Sequence, residues 1–254
     1  MSLASDKINA RQRQQGGIGE TIKIVVQALL LALVVRTLLF QPFNIPSGSM
    51  KDTLLIGDYL FVSKYAYGYS RFSLPFSPPI FKGRFFGTPP QRGDIVVFKL
   101  PKDNATDYIK RVIGLPGDRI QMIDGRLHIN GRAVQREKLP DIVTRNAFGI
   151  ETRVARWQET LPNGVSYETL DLDPNSFEDN TPVYEVPAGH YFMMGDNRDN
   201  STDSRVLGAV GYVPFENLIG RAEIIFFSVS EGERAWTIWK WPWTVRFERI
   251  FKLI

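Results

Sequence analysis

Apolar and polar positions along the chain predict one N-terminal helix followed by a body of strands and turns. The run over residues 24–40 is apolar except for Gln27 and Arg36. As a helix this run is about 26 Å long, close to the hydrocarbon thickness of a bilayer, so it predicts a transmembrane helix. Beyond residue 40, sustained helical periodicity is hard to find, and β-branched runs bounded by turn-forming residues recur. The pattern therefore predicts a mainly β fold with antiparallel strands behind one transmembrane helix.

Strand and turn signals are clearest between residues 94 and 134. Residues 94–100 and 108–113 are apolar runs rich in β-branched side chains, and a Gly-Leu-Pro-Gly-Asp turn closes the second run. Residues 120–134 predict a hairpin with turns at residues 124–125 and 130–131, which are Asp-Gly and Asn-Gly pairs. These signals favour strands that pair with their neighbours in sequence.

Three further segments differ in composition from this body. Residues 66–92 are rich in aromatic residues, Gly and Pro, which favours an extended loop or β-ribbon. Residues 140–185 are polar and become acidic, which is typical of a peripheral insert. After Glu231, tryptophans alternate with basic residues, a mixture that suits either a membrane headgroup region or a Trp-rich core strand. The tryptophans concerned are Trp236, Trp239, Trp241 and Trp243.

The N-terminal apolar run has two other interpretations, a cleaved signal peptide or a buried helix of a soluble domain. A cleavable apolar region is usually shorter and is followed by small residues, whereas Val-Val-Arg-Thr-Leu follows here over residues 34–38. We therefore favour an uncleaved membrane anchor. Basic residues before the anchor favour a cytoplasmic N-terminus, with residues from 41 onward on the opposite side of the membrane. They are Lys7, Arg11, Arg13 and Lys23.

Composition removes several kinds of chemistry. The 254-residue chain has no cysteine, which excludes disulfides, a thiol nucleophile and Cys-ligated metal. Its histidines, His128 and His190, are far apart in sequence and cannot form a multi-His metal site alone. The net charge of +4 is weak evidence for an anionic partner, and no nucleic-acid motif accompanies it. We expect no metal, no cofactor and no nucleic-acid partner.

A small-residue turn follows closely behind the anchor. It reads Pro46-Ser47-Gly48-Ser49-Met50. Ser49 is the ninth residue beyond the anchor, and this stretch spans at most about 30 Å, so the serine would lie near the bilayer surface. A serine hydroxyl is a poor nucleophile and needs a base within hydrogen-bonding reach.

Two residue types could supply that base. His128 lies in the predicted hairpin and His190 precedes an apolar strand, so structural roles are favoured for both. A lysine can act as a base when burial lowers its pKa far enough to leave the amine neutral. Lys110 lies on a predicted strand between Tyr108-Ile109 and Val112-Ile113. On this evidence alone Lys110 is only a weak candidate for the base, because a lysine on a strand usually points to solvent.

A third polar cluster occupies residues 195–205 and directly follows an apolar strand. It reads Gly-Asp-Asn-Arg-Asp-Asn-Ser-Thr-Asp-Ser-Arg, a mixture of turn formers, acids and arginines that predicts a hydrogen-bonding loop. A solvated or cation-binding turn is the alternative. An EF-hand is disfavoured because the acidic spacing and the terminal Glu do not match.

The serine turn, the lysine strand and this loop, in this order behind an anchor, resemble the boxes of bacterial type I signal peptidases. The matching segments are 46–50, then 93–98 with 107–111 and 114–118, and finally 195–201 with 203–205. The resemblance covers the chain from about residue 24 to residue 222. Its motifs are long and specific.

The resemblance implies roles for individual residues. Ser49 would be the nucleophile, Lys110 its general base, and Ser47 the hydroxyl that joins the Ser49 amide in an oxyanion hole. Ser201 would orient the lysine amine, with Asp203 and Arg205 as a supporting ion pair. Small-residue subsites with an Ala-x-Ala preference would be lined by Phe43, Ile45, Pro46, Met50, Leu54, Tyr108 and Ile109.

The resemblance also implies an organisation and a location. Residues 1–23 would be a cytoplasmic tail and 24–40 the membrane span. Residues 41–119 and 188–254 would form a discontinuous catalytic β domain, and 120–187 a smaller inserted β domain. The protein would lie in the bacterial inner membrane with its catalytic domain outside the cytoplasm. Its partners would be preprotein signal peptides and the lipid bilayer.

One departure from the family pattern is Asp52, where the family box usually has proline, and it could loosen the turn after Ser49. The single predicted span also differs from relatives with two. A dedicated secretion-linked processing peptidase remains an alternative function, as does a non-catalytic periplasmic binding protein. A self-cleaving repressor is disfavoured, because only about 23 residues precede the anchor and a DNA-binding domain would not fit.

Overall fold

The N-terminal helix is longer at its start than the apolar run suggests. A computed structural model describes residues 17–145 and 151–254 of the protein. Helix α1 (Gly17–Leu38) ends two residues earlier than predicted, because Phe40 already belongs to the first strand. Among the described residues, Ile18–Leu38 is long and apolar enough to cross a membrane, and its most apolar window is wholly unburied. The alternative of a helix buried in a soluble domain is therefore wrong.

Strands make up most of the remaining structure. In chain order they are β1 (Phe40–Asn44), β2 (Asp58–Ser63), β3 (Tyr69–Ser70), β4 (Arg84–Phe85), β5 (Ile95–Lys99), β6 (Asp107–Gly114), β7 (Arg119–Ile123), β8 (Arg126–Ile129), β9 (Arg132–Ala133), β10 (Gln135–Arg145), β11 (Glu151–Thr160), β12 (Ser166–Asp171), β13 (Tyr184–Glu185), β14 (His190–Met194), β15 (Val213–Pro214) and β16 (Leu218–Ser228). The described strand pairs are antiparallel, which confirms the predicted fold class.

One large sheet carries both candidate catalytic segments. Within the described residues it has seven strands in the order β1-β2-β16-β5-β6-β14-β15. Strand β16 pairs with β2 on one side and β5 on the other, although both precede it in sequence by more than a hundred residues. The candidate nucleophile follows β1, and Lys110 lies on β6. Their proximity is therefore a product of tertiary structure.

Residues between β6 and β14 form separate sheets. Strands β10, β11 and β12 form a three-stranded sheet, and β13, β7, β8 and β9 form a four-stranded one. The ribbon over residues 66–92 contains the β3–β4 pair. This distribution is consistent with an insert near residues 120–187, and that division remains a prediction.

The predicted hairpin turns are confirmed. Strand β7 pairs with β8, and β8 pairs with β9. Asp124 and Gly125 have φ values of 47° and 68°, and Asn130 and Gly131 have values of 55° and 77°. Two successive positive φ angles match the right-handed twist of the flanking strands, which is why Asp-Gly and Asn-Gly are favoured there.

The tryptophan-rich segment is not a core strand. It forms short helical turns at Ile238–Lys240 and at α2 (Trp241–Thr244). Trp236, Trp239 and Trp243 are strongly exposed, the last with 80% of its surface accessible. Pro242 in α2 has no backbone N–H to donate to a strand ladder, which accounts for the loss of the strand. Contact of this segment with lipid remains a prediction.

Candidate active site

The serine turn is a short 3-10 helix, Gly48–Met50, packed on the hydrophobic core. Met50 and Leu54 are completely buried in a cluster that includes residues of β2 and β16. Lys51 N donates to Gly48 O at 3.1 Å, which closes the turn. Ser49 is 7% exposed. The burial of Met50 and Leu54 thus fixes the backbone that carries Ser49.

Ser49 and Lys110 are in direct contact. Lys110 Nζ lies 2.7 Å from Ser49 Oγ and 2.9 Å from Ile109 O. The lysine is held by β6, where it pairs in register with Val96 of β5, and only 3% of its surface is exposed. The expectation that a strand lysine points to solvent does not hold for Lys110.

Burial lowers the pKa of Lys110 to about 8, although Asp203 and Asp196 act in the opposite direction. Relative to the ordinary value of 10.5, this corresponds to about 3 kcal/mol against the charged amine. A neutral amine in contact with a serine hydroxyl can accept its proton. The pair therefore has the composition and geometry of a nucleophile and its base.

The loop over residues 195–205 forms a hydrogen-bonded network next to the Ser49–Lys110 pair. Asp203 Oδ2 accepts hydrogen bonds from Ser201 Oγ at 2.8 Å and from Gly195 N at 3.0 Å. Arg205 binds both carboxylate oxygens of Asp203, at 2.9 and 2.8 Å. Against the effect of burial, Arg205 keeps the pKa of Asp203 below its usual value.

The contact that Ser201 makes differs from its implied role. Its hydroxyl donates to Asp203, and within the described residues the hydrogen bonds of Lys110 Nζ go to Ser49 and Ile109. Asp203 and Arg205 form the expected ion pair. Ser201 therefore reaches Lys110 only indirectly in this arrangement, through the charge of Asp203.

Asn197 joins the late loop to the serine turn and was not singled out from the sequence. Its side-chain amide donates to Gly48 O at 2.9 Å, and its backbone N donates to Ser49 O at 3.1 Å. The backbone of Gly195 packs tightly against Ser201 and the serine turn, since a Cβ there would lie 2.2 Å from Ser201 Oγ and 2.5 Å from Ser49 O. The motif containing both residues was recognised, but these contacts depend on the loop conformation.

A buried ion pair locks the same region. Arg111 binds Asp196 through two hydrogen bonds of 2.8 and 2.7 Å, and Asp196 also accepts from Thr53 at 2.6 Å. Thr53 lies just after the serine turn and Arg111 just after Lys110. Removing one partner from such a buried pair typically costs about 3–5 kcal/mol. The pair thus connects all three motifs.

Residues 18–227 match the family model described as signal peptidase, peptidase S26. The chain belongs to this family. A signal peptidase I of Rickettsia typhi is 45% identical over 241 residues, covering 88% of this chain and 89% of the relative. One of Rickettsia prowazekii is 42% identical over 264 residues, covering 97% and 96%. A solved signal peptidase I of Enterococcus faecalis is 26% identical and covers 53% of this chain and 97% of that one, with a TM-score of 0.30.

Membership makes the chain a serine peptidase of the signal peptidase family, whose members cleave signal peptides. In this signal peptidase, a cleft of about 340 Å³ opens beside the Ser49–Lys110 pair. It is lined by Pro46, Ser47, Ser49, Asp107, Tyr108, Ile109, Lys110, Asn200 and Thr202.

The predicted substrate-binding residues fall into two groups. Pro46, Tyr108 and Ile109 line the cleft. Ile45, Met50 and Leu54 are buried, and Phe43 packs against the same core cluster, so these four lie in the layer that supports the cleft. An apolar residue beside a motif is compatible with either position, which is why the sequence did not separate them.

Asp52 is held by charge. Its carboxylate lies 2.5 Å from Arg156 Nε on β11, and the same guanidinium contacts Glu168 on β12. Burial and the nearby Glu168 raise the pKa of Asp52, while Arg156 opposes the shift. These contacts tether the turn after Ser49 to the three-stranded sheet, and the effect of Asp52 on the turn remains a prediction.

This tether predicts a measurable coupling. Arg156→Gln should lower the melting temperature in detergent, because it leaves the carboxylates of Asp52 and Glu168 facing each other; the pair is partly exposed, so the cost is about 1 kcal/mol or less. Adding Asp52→Asn should recover part of the loss in a double-mutant cycle. Asp141→Asn, which breaks the exposed Lys138–Asp141 pair, is the matched control and should change little. If the effects of the two substitutions on the melting temperature were strictly additive, the proposed tether between Asp52 and Arg156 would be refuted.

Proposed function

We propose that this signal peptidase is a membrane-anchored endopeptidase that uses Ser49 as nucleophile and neutral Lys110 as general base. The supporting observation is the 2.7 Å contact between Lys110 Nζ and Ser49 Oγ inside a buried setting that lowers the pKa of the lysine. The alternative of a non-catalytic binding protein gains no support from a serine and a lysine in this arrangement.

The proposed reaction follows from these groups. Lys110 takes the proton of Ser49 Oγ as the oxygen attacks the scissile carbonyl. The developing oxyanion accepts hydrogen bonds from Ser49 N and from Ser47 Oγ, which lies 3.4 Å from Ser49 Oγ. Collapse breaks the peptide bond, and Lys110 returns the proton to the departing amine. Water, activated by the same lysine, then hydrolyses the acyl-enzyme.

The pH profile tests the identity of the base. We expect kcat/KM to rise with pH through a limb near 8, because Lys110 must lose its proton before it can act and burial brings its pKa to about 8. Initial rates on a short peptide substrate over pH 6 to 10 measure this limb. His128→Gln and His190→Gln should leave it unchanged. A limb near pH 6.5 that disappears in either histidine variant would refute the lysine base.

Substrate choice is proposed to favour small residues, as in Ala-x-Ala. The cleft beside Ser49 is lined by Tyr108 and Ile109, and these side chains are proposed to leave room for only a small residue before the scissile bond. The detergent-solubilised protein should cut a preprotein carrying Ala-x-Ala once, and replacing the alanine before the cut by leucine should block cleavage. Equal rates for both substrates would contradict this specificity.

We also propose that α1 anchors the protein in the bacterial inner membrane with its N-terminus in the cytoplasm. The apolar character of Ile18–Leu38 and the basic residues before it support this orientation. The chain has no cysteine, so Lys82→Cys introduces a unique thiol on an exposed loop. A membrane-impermeant maleimide should label it from the periplasmic side. Labelling that occurs only after the membrane is permeabilised would show the opposite orientation.

A further inference from the structure

A cavity of about 560 Å³ lies where the C-terminal end of α1 meets the large sheet. The helix is fastened there, because Leu38 O accepts a hydrogen bond from Tyr69 Oη at 2.7 Å and Leu39 O accepts one from Lys64 N at 2.9 Å. The lining of this juxtamembrane cavity includes Leu33, Arg36, Lys64, Phe76, Lys99 and Asp107.

The lining of the juxtamembrane cavity carries more positive than negative charge. Lys99 is paired with Asp107 at 2.8 Å. Arg36 and Lys64 form no ion pair within residues 17–145 and 151–254, yet both face the same space. The cavity therefore carries cationic groups that its own described carboxylates do not neutralise.

Lys64 is unusual for a lysine because only 3% of its surface is exposed. Its Nζ donates to Ser73 O at 2.6 Å, which leaves donor capacity unused. Burial, and then repulsion from Arg36, lower the pKa of Lys64 to about 8. An anion between the two cations would relieve that repulsion and supply the missing acceptors.

Part of the lining of the juxtamembrane cavity is apolar. Leu33 lies about one helical turn further into the proposed span than Arg36. Leu74 and Phe76 come from the ribbon over residues 66–92, and the Phe76 side chain is fully exposed. A lining that holds both apolar and cationic groups matches the two ends of a phospholipid, whereas a soluble anion would leave the apolar groups unused.

We infer that the juxtamembrane cavity binds an anionic glycerophospholipid, with its phosphate between Arg36 and Lys64 and an acyl chain against Leu33 and Phe76. The inference rests on the proposed membrane span and is independent of the proposed chemistry at Ser49. Asp107 lines both this cavity and the catalytic cleft, so a bound lipid would lie next to the strand that carries Lys110.

Lipid retention by the full chain tests the inference. The protein, taken from phosphatidylcholine vesicles with or without phosphatidylglycerol, is analysed by native mass spectrometry for retained phosphatidylglycerol. We expect one retained molecule, and Arg36→Gln should weaken retention about tenfold, the order expected for one charge-assisted hydrogen bond. Lys64→Met should act similarly, with a melting curve to verify folding. Lys82→Gln removes an exposed cation outside the cavity and is the matched control.

Each alternative result has a distinct meaning. Equal loss of lipid in all three variants would reduce the effect to general surface attraction and overturn the inference. If inorganic phosphate alone displaced the bound phosphatidylglycerol, the cavity would be assigned to a soluble anion. If Arg36→Gln left phosphatidylglycerol retention unchanged and raised the KM for the preprotein, the cavity would be assigned to the substrate path. Both would overturn it. Flotation with vesicles tests the span, and preprotein cleavage in detergent tests the proposed function, so the three ideas fail separately.

Discussion

Ser49→Ala and Lys110→Met should each lower preprotein cleavage by at least about three orders of magnitude, as expected when a nucleophile or its base is removed. Each variant loses one partner of the 2.7 Å contact between Ser49 Oγ and Lys110 Nζ. Methionine nearly matches lysine in volume and removes an amine that burial already disfavours as a cation. The melting temperature should therefore stay the same or rise.

Initial rates on a preprotein, with a melting curve for each variant, measure these effects. Lys138→Met replaces an exposed lysine of β10 and is the matched control, which should retain full activity. The double variant should be no slower than either single one, because the two groups act as a unit. Near-normal turnover in Ser49→Ala or Lys110→Met with an unchanged melting curve would refute the proposed pair.

Ser47→Ala should lower kcat by about two to three orders of magnitude and leave KM nearly unchanged. Its hydroxyl lies on the exposed side of the turn, 3.4 Å from Ser49 Oγ, where the oxyanion would form. A donor that acts mainly on charge appearing in the transition state changes turnover more than affinity. Steady-state kinetics on one peptide substrate separate the two parameters.

Two variants complete that experiment. Ser47→Thr keeps the hydroxyl and should retain more activity than Ser47→Ala. Ser166→Ala removes an exposed hydroxyl from β12 and should behave like the unaltered protein. If Ser47→Ala raised KM and left kcat unchanged, the hydroxyl would belong to substrate binding and the oxyanion role would be lost.

The fold class and the short turns could be predicted because they are local properties of the sequence. Alternating apolar runs and the Asp-Gly and Asn-Gly pairs determine strands and hairpins over a few residues. The position of β16 between β2 and β5 was not predictable in this way, since it joins segments far apart in sequence. Pro242, read alone, would have argued against a strand in the tryptophan segment.

The candidate site shows the same division. Residue type and apolar neighbours made Lys110 a weak candidate, and the resemblance of the surrounding motifs to type I signal peptidases assigned the Ser49–Lys110 pair. It did not predict that Asn197 holds the backbone of Gly48 and Ser49, because such bonds depend on how a distant loop closes. It also did not predict that Arg156 would hold Asp52 in place of a rigid proline.

The central position of β16 has a consequence for the order of events during synthesis. Strands β1 and β2 lead into and out of the Ser49 turn, and β6 carries Lys110 beside β5. These two pairs of strands lie on opposite sides of β16. A nascent chain that has not yet emerged beyond residue 228 lacks the strand that joins them. Such a chain already contains both Ser49 and Lys110. We therefore expect the Ser49–Lys110 pair to form only when nearly the whole chain has been synthesised.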